Sequence, residues 1–248
     1  MKLARLAGKP EIFYTIQGEG KSLGKPSIFV RTTLCNLHCI WCDTDYTWNW
    51  KGTRFRHVND QKPGYEKFDK AEWIEEVATK AIVEQIASFP CKNVVLTGGE
   101  PLLQQEELTE LCQELKSRDY WIEIETNSTL SPNKSLRELI DQYNVSPKLK
   151  NSDNPERIRI KPKVLTAFSG DPKSIFKFVI DSEEDLSEVF ELQKNFNIPA
   201  EKIYLMPQGT NAETLNQKCL WLVEICKTYG FNFTDRLHVQ LWGDKKGV

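Results

Sequence analysis

Apolar positions along the chain change period repeatedly, and the changes mark its elements. Around Ile12, Tyr14 and Ile16 the alternation is two-fold and runs into Gly18, Glu19, Gly20 and Gly24, so residues 9–25 read as a strand leading into a flexible glycine loop. Short β-branched or aromatic runs follow at 27–32 (S-I-F-V-R-T), 93–97, 121–126 (W-I-E-I-E-T), 145–148, 175–180 (I-F-K-F-V-I) and 202–206. Residues 237–242 read as a final strand. Between these runs the spacing is helical. Asp69 with Glu72 forms a capping-box pattern, and Ile74, Val77, Ala78, Ala81, Ile82 and Ile86 make one apolar face. Further helices are predicted over 104–118, 134–143 and 184–195, and from an Asn211 cap to Gly230. Residues 47–68 have no sustained period and read as a surface insertion. There is no internal repeat.

Strands alternating with helices predict parallel pairing with right-handed crossovers. About six such strands make an incomplete (β/α)6-type TIM barrel, an α/β fold open on one side, and 248 residues suit one domain. In such barrels the loops at the C-terminal ends of the strands build the site. The first full strand delivers a cysteine-rich loop, residues 33–46, at that end.

Net charge of −2 and a pI near 6.0 provide no broad basic field for nucleic acid. No apolar run is long enough for a membrane span, and residues 1–10 lack the apolar core of a leader, so a cytoplasmic location is expected. The seven cysteines show no secreted-type framework. Cys91, Cys112, Cys219 and Cys226 fall in or beside regular elements and read as ordinary buried thiols.

Cys35, Cys39 and Cys42 are different. Their C-x3-C-x2-C spacing puts three thiols among polar residues, too dense for a core strand, and points to a soft metal. His38 is the only nearby fourth ligand for zinc, and it sits inside the x3 gap, where a loop can hardly present it with both neighbours. Three ligands make sense where one metal position must stay open to something that is not protein.

This spacing resembles the signature of the radical S-adenosylmethionine (SAM) enzymes, whose [4Fe-4S] cluster has three cysteine ligands and chelates SAM on the fourth iron. With I-Q-G-E-G at 16–20, Arg31, C-D-T at 42–44, T-G-G-E-P at 97–101, E-T-N at 125–127, S-P-K at 146–148 and the terminal L-W-G-D-K-K-G-V, the chain resembles the 7-carboxy-7-deazaguanine synthases. The match is weakest over 151–173. The resemblance implies that Cys35, Cys39 and Cys42 hold the cluster. It implies that Trp41, Cys42, Asp43, Gly98, Gly99, Glu100, Glu125, Asn127, Ser146, Pro147 and Lys148 bind SAM. Thr44 is implied as a ligand of Mg2+ that also meets the substrate carboxylate. The implied substrate is 6-carboxy-5,6,7,8-tetrahydropterin, contacted by Ile16, Gln17, Gly18, Glu19, Arg31, Thr97, Trp242 and Val248, with the tail over 237–248 closing the site. Radical hydrogen abstraction, ring contraction and loss of ammonia would give 7-carboxy-7-deazaguanine for deazapurine and queuosine biosynthesis. SAM would be regenerated, a flavodoxin or ferredoxin would supply the electron, and the enzyme would be a homodimer.

Physical reading of the substrate residues agrees with that expectation. Gln17 and Glu19 offer groups suited to a donor-rich ring edge, and an inward Arg31 without a partner would call for an anion. His38, His57 and His238 read as isolated residues without catalytic roles. Two rivals stand beside this reading: a radical SAM activase acting on a partner protein, and a non-catalytic zinc or electron-transfer module.

Overall fold

A computed structural model describes all residues, 1–248. The chain begins with β1 (Lys2–Leu6), β2 (Lys9–Pro10) and β3 (Ile12–Ile16), then enters the first barrel strand, β4 (Pro26–Thr32). After the cysteine loop come α1 (Lys70–Trp73), β5 (Ile74–Glu76) and α2 (Thr79–Ala87). The repeating part follows as β6 (Asn93–Gly98), α3 (Gln105–Lys116), β7 (Trp121–Thr126), α4 (Lys134–Leu139) and β8 (Gln142–Val145). It continues through α5 (Glu156–Arg159), α6 (Pro162–Ser169), β9 (Ser174–Ile180), α7 (Asp185–Phe196) and β10 (Ile203–Pro207). The chain closes with α8 (Ala212–Tyr229), β11 (Asn232–Phe233) and α9 (Leu237–Trp242).

Six strands, β4-β6-β7-β8-β9-β10, pair in parallel in that order, and the short β11 adds in parallel at one edge. At the other edge β3 and β1 run antiparallel to β4, so the barrel does not close. This is the expected incomplete barrel. Side chains alternate across each strand. Ile28, Val30, Leu96, Ile122, Ile124, Phe176 and Phe178 face outward into a core of 36 buried residues shared with the helices. On the other face, Glu123, Gln142 and Asn144 form a polar floor, where the Glu123 carboxylate accepts from Ser22 Oγ (2.6 Å), Gln142 Nε2 (3.3 Å) and Asn144 Nδ2 (3.2 Å). That floor pins the glycine loop inside the barrel. No helix is long and apolar enough to cross a membrane.

Four local readings change. Asp69 does cap a helix, accepting from the Ala71 N–H, but α1 lasts four residues and Ile74 enters β5 against β1. Edge pairing with the N-terminal strand overrides the helical period, which survives only in α2 through Ile82, Val83 and Ile86. The helix at 134 stops at Leu139, and residues 142–145, not 145–148, are the strand. Residues 237–242 form α9 rather than a strand. A short apolar run fits either element, and here the Leu237 N–H is taken by Gly18 O, leaving only Val239 buried along the helix. Residues 156–169, for which no element was expected, form α5 and α6.

The stretch 47–68 is not simply a surface excursion. Thr47, Trp48, Asn49 and His57 are buried, and Trp48, Phe55, His57, Tyr65 and Phe68 form an aromatic cluster with Tyr46, Trp73 and His38 of neighbouring segments. The cluster backs the cysteine loop. Trp48→Ala should therefore cost about 3–5 kcal/mol, the range for a buried Trp truncated in a core, whereas a solvated loop residue would change stability by less than about 0.5 kcal/mol. Urea unfolding of the metal-free protein distinguishes the two outcomes.

Candidate active site

Leu34 turns the chain off β4. Its φ of 73° is left-handed, a conformation a branched residue adopts only when neighbours hold it there. The Leu34 N–H donates to Thr47 O (2.9 Å), and its carbonyl accepts from the Glu100 N–H (2.9 Å). The turn after β6 lies directly against this segment. A Cβ at Gly98 would fall 2.0 Å from Thr32 O, and one at Gly99 would fall 2.1 Å from Leu34 O. Gly98 also has a φ of +131°. Both glycines border the cavity as expected, but the space they free is filled by backbone, that of the end of β4 at Gly98 and that of the cysteine loop at Gly99.

Cys35, Cys39 and Cys42 border one cavity and are not disulfide-bonded. Burial pushes the Cys39 thiol up to about 12 and raises Cys35 and Cys42 as well. Such thiols keep their protons until a metal takes them as thiolates. Each sulfur nonetheless has a polar neighbour. Cys35 receives the Leu37 N–H (3.4 Å) and Asn127 Nδ2 (3.7 Å), Cys39 receives Asn154 Nδ2 (3.4 Å), and Cys42 lies 3.5 Å from the Thr44 hydroxyl. Structural zinc takes four closed protein ligands, whereas a [4Fe-4S] cluster spreads its cysteine sulfurs over different irons, so three cysteines at one cavity suit a cluster better than one zinc.

His38 does not supply a fourth ligand. Its ring stacks on Phe55 with centroids 3.3 Å apart, sits edge-on to Trp48, and burial pushes it down to about 4. His57 is not isolated, since Nε2 lies 2.8 Å from Cys42 O and Nδ1 accepts from the Asn59 N–H. It braces the end of the cysteine loop.

Trp41, Asp43, Thr44, Thr97, Glu125, Asn127, Ser146 and Lys148 also border the cavity. Trp41 is oriented by a hydrogen bond from Nε1 to Asn151 O, and Lys148 Nζ donates to Ser146 Oγ (2.8 Å). Asn127 spends its amide on the loop rather than on a ligand: Nδ2 donates to Asn36 Oδ1 (2.9 Å), and Oδ1 accepts from Thr129. Glu100 and Pro147 do not border the cavity. The Glu100 carboxylate is fully buried, accepting from the Leu102 N–H, the Asn127 N–H and the Thr126 hydroxyl, so it ties β6 to β7 and is not presented to a SAM ammonium.

Ile16, Gln17, Gly18, Glu19 and Arg31 line the opposite wall. Glu19 is held by Lys177 and by Arg236 Nε (3.1 Å), and Arg236 also binds Asp43. Lys177 lies 3.7 Å from Glu125, whose other oxygen accepts from Thr97 Oγ1 (3.2 Å) and whose first accepts from Gln17 Nε2 (3.2 Å). Burial alone would raise the Glu19 carboxyl, but Lys177, Arg236 and His238 hold it well below the usual range, and Arg236 does the same for Asp43. Arg31 is not partnerless: Nε binds buried Glu11 at 2.8 Å, and Glu11 also accepts from the Tyr46 hydroxyl. No protein group bonds the two terminal nitrogens of Arg31, and its side chain borders the cavity.

His238 packs where a Cβ on Gly18 would come within 2.1 Å, so this glycine admits an imidazole. In the tail, residues 243–248 including Val248 border the cavity, whereas Trp242 is 40% exposed and does not. Sequence reasoning missed Lys177, Arg236, His238, Met206 and Gln208. Only Lys177 left a signal, as the one charge inside the otherwise apolar I-F-K-F-V-I strand. Of the other cysteines, Cys112 and Cys226 are buried, while Cys91 and Cys219 are only half-buried.

Residues 29–163 match the Radical SAM superfamily. The chain is 33% identical to a 7-carboxy-7-deazaguanine synthase of Pyrobaculum aerophilum, over 96% of this chain and 95% of that one. It is 32% identical to one of Rhodopirellula baltica, over 96% and 87%. Among solved structures, QueE from Escherichia coli matches with a TM-score of 0.65 at 23% identity, covering 92% of each chain. Streptococcus suis SuiB bound to S-adenosylmethionine matches with 0.51 at 14%, over 84% of this chain and 49% of that one. At these identities the two structures speak to the fold.

Burial pushes the Glu100 carboxyl up to about 7, with its hydrogen bonds and Lys148 opposing. For an acid raised above its unfolded value, the stabilisation is complete below the unfolded pKa and is lost as pH rises through the folded one. Glu100 should thus cost the metal-free fold about 3 kcal/mol between pH 4.5 and above 7. Urea unfolding of parent and Glu100→Gln across that range should show the parent losing stability relative to the variant. Parallel pH profiles would mean that this carboxyl ionises normally.

Proposed function

The chain belongs to the Radical SAM superfamily and, within it, to the 7-carboxy-7-deazaguanine synthases, and from that premise we propose that it converts 6-carboxy-5,6,7,8-tetrahydropterin to 7-carboxy-7-deazaguanine with loss of ammonia. One observation carries the reading to this chain: the three cysteines, the Gln17-Gly18-Glu19 loop and Arg31 border the same cavity. When bound, the [4Fe-4S] cluster and SAM supply the one-electron chemistry that starts hydrogen abstraction. Orientation and the exclusion of water are the work of the chain's own residues.

Cys35, Cys39 and Cys42 would hold the cluster. For SAM, the reading retains Trp41, Asp43, Gly98, Gly99, Glu125, Ser146 and Lys148, while Glu100 acts from behind as the brace of the Gly-Gly turn. The two terminal nitrogens of Arg31 would grip the substrate carboxylate, with Nε fixed by Glu11 so that the fork is already aimed. Gln17 and Glu19 would meet the ring's donor edge. Residues 243–248 would cover the mouth, with Val248 at the substrate. Mg2+ takes as few as one or two protein oxygens, and the Thr44 hydroxyl can be one. A flavodoxin or ferredoxin as donor, a homodimeric state and supply of product to queuosine biosynthesis complete the proposal. A glycyl-radical activase is less supported, because relatives matching almost the whole chain carry the deazaguanine synthase name.

Anaerobically reconstituted protein given dithionite, SAM, Mg2+ and carboxytetrahydropterin should form the deazapurine, and chelation of Mg2+ should slow it. Absence of deazapurine from cluster-loaded protein that binds SAM would refute the assignment. Arg31→Lys keeps a cation beside Glu11 but loses the planar fork. It should weaken pterin binding on the order of tenfold or more, about 1.4 kcal/mol, while the SAM-induced change in the cluster spectrum persists. Unaltered pterin affinity in a calorimetric titration would remove Arg31 from the carboxylate site.

A further inference from the structure

The segment between β8 and α6 forms a bed beneath the cysteine loop. The Ile40 N–H donates to Ser152 O (3.1 Å), Trp41 Nε1 to Asn151 O (2.9 Å), and the His38 N–H to Asn154 Oδ1 (2.9 Å). The last bond fixes which way the Asn154 amide points. Its oxygen must face the His38 N–H, so its NH2 faces the Cys39 sulfur at 3.4 Å, with Ser152 O and Oγ taking the other hydrogen. Asn154 is 7% exposed, and Arg159, itself 4% exposed, donates to the Asn154 carbonyl (3.1 Å) and to Lys148 O (2.9 Å) while paired with Glu188. The amide is therefore buried and clamped on both sides.

Cys39 is the most buried of the three cysteines, and Asn154 is the side-chain amide that reaches its sulfur. A hydrogen bond to a cluster thiolate stabilises the reduced, more electron-rich state more than the oxidised one, and such bonds are among the determinants of iron–sulfur potentials. We infer that Asn154 is a positioning residue that raises the reduction potential of the cluster through its hydrogen bond to the Cys39 sulfur. The inference rests on the cluster assignment, but not on the identity of the substrate.

The test is an EPR-monitored potentiometric titration of anaerobically reconstituted protein without SAM or pterin. The variants are Asn154→Leu, which removes the donor, and Asn154→Asp, which keeps an acceptor for His38 but sets a carboxylate oxygen against the sulfur. Asn151→Ala, altered in the same bed but touching no sulfur, is the control. At parental iron content, Asn154→Leu should lower the one-electron reduction constant about tenfold, a midpoint lower by about 59 mV. Asn154→Asp should lower it further, and Asn151→Ala should leave it in place. If Asn154→Leu fails to load, Asn154→Asp decides alone. A parental midpoint in every Asn154 variant that loads, or an equal drop in Asn151→Ala, overturns the inference. Failure to make deazapurine, with these shifts intact, would count against the proposed substrate only.

Discussion

Burying an ionised carboxylate is costly unless cations or hydrogen-bond donors compensate it, and Glu19 is compensated by two cations. Lys177 comes from the middle of β9, and Arg236 from the segment before α9. Each cation reaches a second acid, Lys177 toward Glu125 on β7 and Arg236 to Asp43 beside the third cysteine. The result is a ladder of alternating charge, Asp43-Arg236-Glu19-Lys177-Glu125, that joins the glycine loop, the cysteine loop, two barrel strands and the C-terminal segment. Removing one member would strand its neighbours in a low dielectric, so the parts of the site are held in place together.

The cysteine loop depends on a second constraint, which is steric. It can lean on the turn after β6 only because Gly98 and Gly99 carry no side chain, and it can leave β4 only through the left-handed Leu34. Beneath it lies the bed at 151–154, and behind it the aromatic cluster of 47–68. A loop bearing three desolvated thiols would otherwise relax toward water. Enclosed on these sides, it keeps its sulfurs turned to a shared cavity, in surroundings where metal binding rather than solvent must supply the favourable term for thiolate formation.

How much of this could be read from the chain follows from sequence distance. The cysteine spacing, the strand runs at 27–32, 93–97, 121–126, 175–180 and 202–206, and the Asn211 and Gly230 caps are local patterns, and each sits where the pattern put it. The charge ladder is not local. Glu19 and Arg236 are 217 residues apart, and nothing around Arg236 announces a buried guanidinium. Lys177 could have been caught, because a lysine in a strand buried along its whole length needs an anion. The density of Trp, Tyr and Phe over 47–68 likewise argued for burial, but aperiodic spacing hid it. At Leu237–Trp242 the residues alternate as in a strand, and only the bond to Gly18 and the edge position of β11 select the helix.

The rim of the barrel is also polarised in a way that suits the proposed substrate. Arg31 on β4 is registered beside Thr97 on β6, and the Thr97 hydroxyl donates to Glu125 on β7, so a cation, a neutral hydroxyl and an anion follow one another across three adjacent strands. Glu11 takes only Nε of Arg31, which leaves the fork's outer nitrogens for an anion. At the other end Glu125 accepts from Gln17 and Thr97 and shares Lys177 with Glu19. A ligand that aligns with this row needs a carboxylate at one end and a donor-rich edge at the other. A carboxypterin is built that way, and in the proposed orientation its carboxylate would meet the free nitrogens of Arg31, whereas turned end for end it would set that carboxylate against Glu125.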